Sequence, residues 1–210
     1  MTLDLQKFCA DERDDRQELR KPFSYGKETA ATNGHIIIVV QKQDVCEKTI
    51  CDFSDTLKIN VMNVIASIPK NGYSSMPKIK WPKKEVCYIC QGGKKAVLNK
   101  CEECSGDGYI TFQTANNFYE CECKMCAGIG GEVKLDTDTD CHCCKGVGEI
   151  YPVQSKRSRV VKPIRFEGML LDPTYLEMFA KLKDVQYQKK EPMVYFQFDG
   201  GRGAIISMSE

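Results

Sequence analysis

Four Cys-x-x-Cys pairs stand in series in the middle of this chain: Cys87/Cys90, Cys101/Cys104, Cys123/Cys126 and Cys141/Cys144. Two residues between cysteines let both sulfurs reach one tetrahedral ion with bonds of about 2.3 Å. Each pair offers two ligands and a closed structural site takes four, so four pairs make two four-cysteine zinc sites. Three pairs continue as Cys-x-x-Cys-x-Gly-x-Gly, ending at Gly106/Gly108, Gly128/Gly130 and Gly146/Gly148. Amides just beyond a pair can donate to its thiolates, and glycines there tolerate the positive φ that turns the chain away. The first pair departs from the pattern. It runs Cys90-Gln91-Gly92-Gly93-Lys94, with its second glycine one place early.

The order of the pairs restricts how they combine. Between the second and third lies Tyr109 to Gln113, then Ala115-Asn116-Asn117, then Phe118 to Glu120. That reads as strand, turn, strand, and a hairpin there brings the second and third pairs together. The first and fourth then close outside them. The expected zinc ligands are therefore Cys87, Cys90, Cys141 and Cys144 for one ion, and Cys101, Cys104, Cys123 and Cys126 for the other. Cys121 and Cys143 are read as bystander thiols beside ligands, with substitution by either, or by His142, as the alternative.

The cysteine total is 13 in 210 residues. An odd count behind a start, Met1-Thr2-Leu3-Asp4-Leu5, with no basic, apolar leader argues against a secreted disulfide scaffold and for a metal site in a soluble, cytoplasmic protein. The longest apolar run, Ile36 to Val40, is far too short to span a membrane, so no membrane partner is expected. Lys+Arg is 30 and Asp+Glu is 29. That balance is less lopsided than a strongly electrostatic nucleic-acid binder needs. Residues 83–150 hold eight lysines against eleven acids, and eight thiolates around two Zn²⁺ lower their charge to about −7. The flanks are more basic. Lys78, Lys80, Lys83 and Lys84 precede the cysteine region, and Lys156, Arg157, Arg159, Lys162 and Arg165 follow it. Should the two ends meet, Lys83, Lys84, Lys156, Arg157 and Arg159 are candidates for a nucleic-acid patch.

Residues 1–82 and 151–210 have globular patterning, and 83–150 carry little apolar content and need a staple to fold. The expected architecture is a discontinuous α+β domain with a two-zinc module inserted at 83–150. In the first flank, Thr2 can cap a short helix bearing Leu5, Phe8 and Cys9 on one face. Asp11 to Arg20 reads as a solvated helix end or loop. Asn33-Gly34 joins two strand-like runs, and Ile36 to Val40 reads as a strand buried on both faces. Ser54 or Asp55 starts a helix through Leu57, Val61, Val64, Ile65 and Ile68, which Pro69 ends. In the second flank, Val160 to Phe166 is expected to be a strand with Pro163 at an edge or bulge. Asp172-Pro173 opens a helix with Tyr175, Leu176, Phe179 and Leu182 on its buried face. Three strands follow, at 185–188, 193–198 and 204–208. Gly200, Gly201 and Gly203 are expected in turns, His35 in a structural turn role, and Cys9, Cys46 and Cys51 as small buried hydrophobes. Trp81 is read as a linker anchor or an exposed contact residue.

Residues 87–148 resemble the cysteine-rich zinc domain of the DnaJ chaperones, in which the first and fourth repeats hold one zinc and the second and third the other. The resemblance implies two structural Zn²⁺ and a polypeptide-binding role. It does not extend to the J domain, because neither His35 nor His142 is followed by Pro-Asp. The flanks are weakly similar to bacterial sliding-clamp subunits, through Ala31-Thr32-Asn33-Gly34-His35, with Asn33 in place of Asp, and through the strand, helix and three strands of 160–208. Clamp-like ends around such a finger resemble small phage or prophage proteins.

These readings lead to a non-enzymatic binding protein with two Zn²⁺ and, as partner, a polypeptide met by Tyr109, Phe112, Phe118 and Tyr119. A phage-encoded modulator of a host protein complex, in the host cytoplasm, fits the resemblance. The alternatives are a DNA-associated clamp-like factor and a thiol-disulfide oxidoreductase or chaperone-like holdase.

Overall fold

The computed structural model describes residues 3–11, 14–43, 48–135, 137–155 and 160–208. The fold is mixed α+β, with strands far outnumbering the two α-helices among the described residues. The chain divides into two compact units, one of residues 1–80 with 163–210 and one of residues 81–162.

The first unit begins with a single 3-10 turn, Leu5–Phe8, capped by the Asp4 carboxylate accepting from the Gln6 amide. Leu5, Phe8 and Cys9 are buried. The expected Thr2 cap lies outside the described residues. The charged stretch that follows is more than a solvated loop: Gln17–Arg20 forms a second 3-10 turn and buries Leu19. Then come β1 (Phe23–Tyr25), β2 (Glu28–Thr32), β3 (Ile36–Gln41) and β4 (Lys48–Thr49), followed by helix α1 (Asp55–Ser67) and β5 (Ser74–Ser75). Between β2 and β3 the Asn33 carboxamide oxygen accepts from the His35 and Ile36 amides, and Gly34 takes φ +91. That is an Asx-type turn, which explains why Asn-Gly joins these strands. Ser54 stands at the start of α1 but its side chain makes no capping bond.

The second unit contributes β6 (Glu85–Val86), β7 (Val97–Lys100), β8 (Tyr109–Gln113), β9 (Phe118–Glu122), β10 (Gly131–Lys134), β11 (Glu149–Ile150), β12 (Val153–Ser155) and β13 (Val160–Val161). The chain then returns to the first unit with β14 (Ile164–Phe166), β15 (Met169–Leu171), α2 (Pro173–Ala180), β16 (Gln186–Lys190), β17 (Met193–Phe198) and β18 (Gly201–Ile206). The single strand expected from Val160 to Phe166 is two, β13 and β14, interrupted at Lys162-Pro163 and paired in separate sheets. Proline lacks the amide a continuous ladder needs.

One eight-stranded sheet, ordered β4-β1-β2-β3-β18-β17-β16-β5, organises the first unit. Its two faces carry separate hydrocarbon cores. On one, Ile36, Ile38, Val40, Val194, Phe196 and Ile205 meet Leu176 and Phe179 of α2. On the other, Ile37, Val39, Tyr195 and Ala204 meet Val61 and Ile65 of α1. Side chains alternate along β17, with Val194, Phe196 and Phe198 on one side and Tyr195 on the other. Asp172 caps α2 through the Thr174 amide at 2.7 Å, with Pro173 in the first helical position. Gly200 does turn the β17–β18 hairpin, but Gly201 and Gly203 lie inside β18. A Cβ on Gly203 would strike the Phe179 ring, which stacks on Phe196 at 4.4 Å and 8°. Gly203 is there for close packing, not for a turn.

The second unit is built as a ladder of short antiparallel pairs. β6 pairs with β11, β7 with β10, and β8 with β9, each pair nested between the flanks of the one before. The sulfurs occupy the intervals.

Candidate metal centres

The eight Cys-x-x-Cys sulfurs gather into two groups, Cys87/Cys90/Cys141/Cys144 and Cys101/Cys104/Cys123/Cys126, with the sulfurs of each group within 4.8 Å of one another and all eight residues buried. Across the pairs the separations are 3.9 Å for Cys87–Cys141, 3.6 Å for Cys90–Cys144, 3.9 Å for Cys101–Cys123 and 3.7 Å for Cys104–Cys126. A tetrahedron with bonds of about 2.3 Å places its sulfurs about 3.8 Å apart. The same distances are far from a disulfide bond of about 2.05 Å. The donor set is thus the right size and chemistry for a tetrahedral, thiophilic divalent cation.

The local fold shows what the trailing glycines do. Gly108, Gly130 and Gly148 donate their amides to the second sulfur of their own pair, at 3.1, 3.3 and 3.1 Å to Cys104, Cys126 and Cys144. Their carbonyls accept from the first cysteine of the partner pair: Cys123 to Gly108 at 2.8 Å, Cys101 to Gly130 at 3.0 Å and Cys87 to Gly148 at 2.9 Å. One residue therefore holds its own sulfur and clasps the opposite strand. A Cβ at Gly108 would run into the carbonyl of Gly128, and one at Gly130 into that of Gly106. The irregular first pair keeps this clasp. Lys94 takes the left-handed conformation at φ +68, and its carbonyl accepts from Cys141 at 2.8 Å. The early Gly93 does not disturb the turn, because Lys94 fills the position that the other three give to glycine.

The thiols respond to these surroundings unequally. Burial raises Cys87 to about 12. At Cys104 burial is outweighed by the Gly108 and Gly106 amides, lowering it to about 7. At Cys123 the Cys126 amide favours the thiolate, but burial and the neighbouring sulfurs win and raise it to about 12. Four crowded sulfurs cannot all carry charge without a cation among them; metal binding replaces their protons.

The two centres differ in what surrounds them. The first packs with buried Ile89 and Ala96 and with half-buried Tyr88, Ile129, Val133 and Ile150. The second has Ile110 as its apolar neighbour. Neither group contains Cys121, Cys143 or His142. Cys121 is exposed, and so is Cys51, against the expectation of a buried hydrophobe there; Cys9 is buried, and Cys46 lies outside the described residues.

The four hairpin aromatics do not form one patch. Register pairs Phe112 with Tyr119 and Ile110 with Cys121, so these four side chains share one face. Tyr109 and Phe118 fall on the other, with Thr111, Gln113, Glu120 and Glu122. Phe112, Phe118 and Tyr119 are 51%, 65% and 52% exposed. Of the candidate nucleic-acid residues, Lys83 is exposed and Lys84 places its Nζ 4.9 Å from the centre of the Tyr151 ring, a cation–π contact. Lys156, Arg157 and Arg159 lie outside the described residues. Trp81 stacks against the same Tyr151 at 6.4 Å. His35 stacks on Tyr175 at 6.4 Å beside the β2–β3 turn. No helix is long and apolar enough to cross a membrane among the described residues.

No protein-family model, no curated protein and no solved structure matches this chain.

Proposed function

We propose that this chain is a non-enzymatic binding protein whose residues 81–162 form a DnaJ-like finger, made rigid by two structural Zn²⁺, that presents the β8–β9 hairpin to a partner polypeptide. The observation that carries this reading is the pair of buried tetracysteine groups nested along one finger, with a hairpin beyond them on which Phe112, Phe118 and Tyr119 are exposed and Tyr109 is half-buried. Cys87, Cys90, Cys141 and Cys144 would hold one ion, and Cys101, Cys104, Cys123 and Cys126 the other. Four thiolates close a tetrahedral site and leave no position for substrate, so the ion's contribution is to folding. A rigid finger carrying exposed aromatics lowers the entropic cost of docking, which is what a recognition surface requires.

Native mass spectrometry of the intact protein should find two zinc ions per chain. Affinity capture from the native cell, with nuclease present, should retain a defined set of polypeptides, and the double variant Phe112→Ser, Tyr119→Ser should lose it while keeping both ions. A captured set indifferent to that variant would sink the hairpin as the contact surface.

The DNA-associated, clamp-like reading rests on the exposed Lys83 and on the basic sequence around it. It expects a salt-sensitive shift of duplex DNA that disappears when Lys156, Arg157 and Arg159 are reversed in charge. A thiol-disulfide oxidoreductase would instead reduce insulin while loaded with zinc.

A further inference from the structure

We propose that the second tetracysteine group holds the exchangeable ion of the two, and that Glu103 is a further ligand there, trading places with Cys123. The inference rests on the reading of both groups as Zn²⁺ sites, and adds a donor to one of them.

Three observations converge. First, the Glu103 Oε2 lies 3.7 Å from the Cys123 Sγ. With a bond of about 2.3 Å to sulfur and about 2.0–2.2 Å to oxygen, two neighbouring ligands of a tetrahedral ion stand about 3.5–3.7 Å apart. The carboxylate thus already keeps a ligand's distance from that sulfur, although it stands outside the group of four. Second, the side chain can move. Glu103 is exposed, so a change of rotamer can carry its oxygen inward without disturbing a packed neighbour. The charged side chains next to it in space are placed differently: Lys100 lies against Gly106 and Glu122 against Gly128. At the first group the carboxylate of Asp140 lies against Gly146 and pairs with Lys95 at 3.0 Å. Third, the two groups are shielded unequally. The residues between the ligands of the second group, Glu102, Glu103, Lys124 and Met125, are all exposed, whereas Ile89 in the first is buried and its three counterparts are half-buried. Ile110 is the apolar neighbour of the second group, against the larger shell of the first.

Carboxylate oxygen is an ordinary ligand of Zn²⁺, which imposes no geometry of its own beyond the four donors around it. In the exchange, the bond from the ion to Glu103 forms as the bond to Cys123 breaks. One anion enters and one leaves, so the charge of the centre and the number of donors are unchanged and nothing is oxidised or reduced. Losing an ion from a closed thiolate site otherwise means breaking a bond with nothing to replace it. Glu103 removes that requirement at one centre only. Cys123 directly follows β9, so the hairpin is tied to the ion that exchanges.

The test uses the full-length protein carrying two Zn²⁺ and follows their transfer to the chromophoric chelator 4-(2-pyridylazo)resorcinol. Two phases of equal amplitude are expected, the faster at least tenfold ahead of the slower. Glu103→Gln should slow the faster phase at least fivefold and leave the slower one as it was. Cobalt reads the ligands directly. Cys123→Ser loaded with Co²⁺ should still hold two ions, with a weaker sulfur-to-cobalt charge-transfer band, and adding Glu103→Gln to it should weaken binding of the second ion at least tenfold. Should Cys123→Ser fail to fold, the Glu103→Gln transfer rates decide alone. Two bound ions that leave in a single phase would overturn this inference and spare the two-zinc reading. A faster phase that Glu103→Gln leaves alone or speeds up would overturn Glu103 as the incoming ligand. A starting protein that takes up fewer than two Zn²⁺ would overturn the two-zinc reading and this inference with it.

Discussion

The two units solve the same problem by different chemistry. The eight-stranded sheet unit buries large hydrocarbon side chains on both faces, among them Phe23, Phe179, Phe196, Leu171 and Leu176. The unit of residues 81–162 buries eight sulfurs and few large apolar groups. A hydrocarbon core gains stability gradually, contact by contact. A four-thiolate centre gains it in one step, when an ion replaces protons. We therefore expect the order of the second unit to depend on an ion and that of the sheet unit not to, so that substitutions are felt in each unit by different measures.

The largest effect should come from removing metal. A strong chelator, or Cys101→Ser with Cys104→Ser, forfeits a site whose binding free energy in small zinc domains is about 10–16 kcal/mol. Amide hydrogen exchange should then show loss of protection at β8 and β9, with β3, β17 and β18 unchanged; protection lost equally in both would erase the distinction between the units. Next, Phe179→Ala removes a fully buried ring and should cost the sheet unit about 3–5 kcal/mol in denaturant unfolding. Its zinc content, read by native mass spectrometry, should stay at two.

Gly130→Ala places a Cβ against the Gly106 carbonyl and forces an alanine into φ +84. It should weaken the second centre by about 2 kcal/mol, seen as easier zinc transfer to a chromophoric chelator. A smaller effect tests electrostatics in the sheet unit. Arg202 holds Glu28 with two hydrogen bonds, one of them 2.8 Å from Nη2 to Oε2, and this pairing keeps the Glu28 carboxyl below its usual range despite burial. Glu28→Gln should cost about 1 kcal/mol at neutral pH. Because the folded pKa is depressed, that contribution is present above the unfolded value of 4.5 and fades as pH falls through the lower folded one. Parallel stability curves of the two proteins from pH 7 to pH 2 would refute it. The smallest effect is expected at Lys94→Gly, which relieves a non-glycine left-handed residue at φ +68 and should strengthen the first centre by about 0.5–1 kcal/mol in the same chelator competition.

Much of this was legible because short-range chemistry dictates it. Asp172-Pro173 could only begin a helix, since the carboxylate caps and the proline has no amide to lose. The apolar positions of α1 pointed to one face, and Val61 and Ile65 are buried there. Other features were illegible because they depend on distant partners. Gly203 looks like a turn residue until Phe179 is seen above it. Leu19 hides in a charged stretch and is buried all the same, because its 3-10 turn lies against Phe23 and the α1 face. Cys51 falls on the solvent side of a turn for which no sequence period speaks.

The spacing of the cysteines by itself determined that sulfurs would meet in fours and which pairs would join, because two intervening residues set the reach of each pair and a hairpin sets the nesting. Tertiary structure alone decided that Lys94 would serve where three glycines serve elsewhere, since a carbonyl clasp across the centre holds it in that conformation. It alone set the register across the hairpin, putting Tyr119 beside Phe112 and Phe118 on the face of the glutamates. Spacing is a property of neighbouring bonds; which face a side chain shows depends on a hydrogen-bond phase fixed from the far ends of the ribbon.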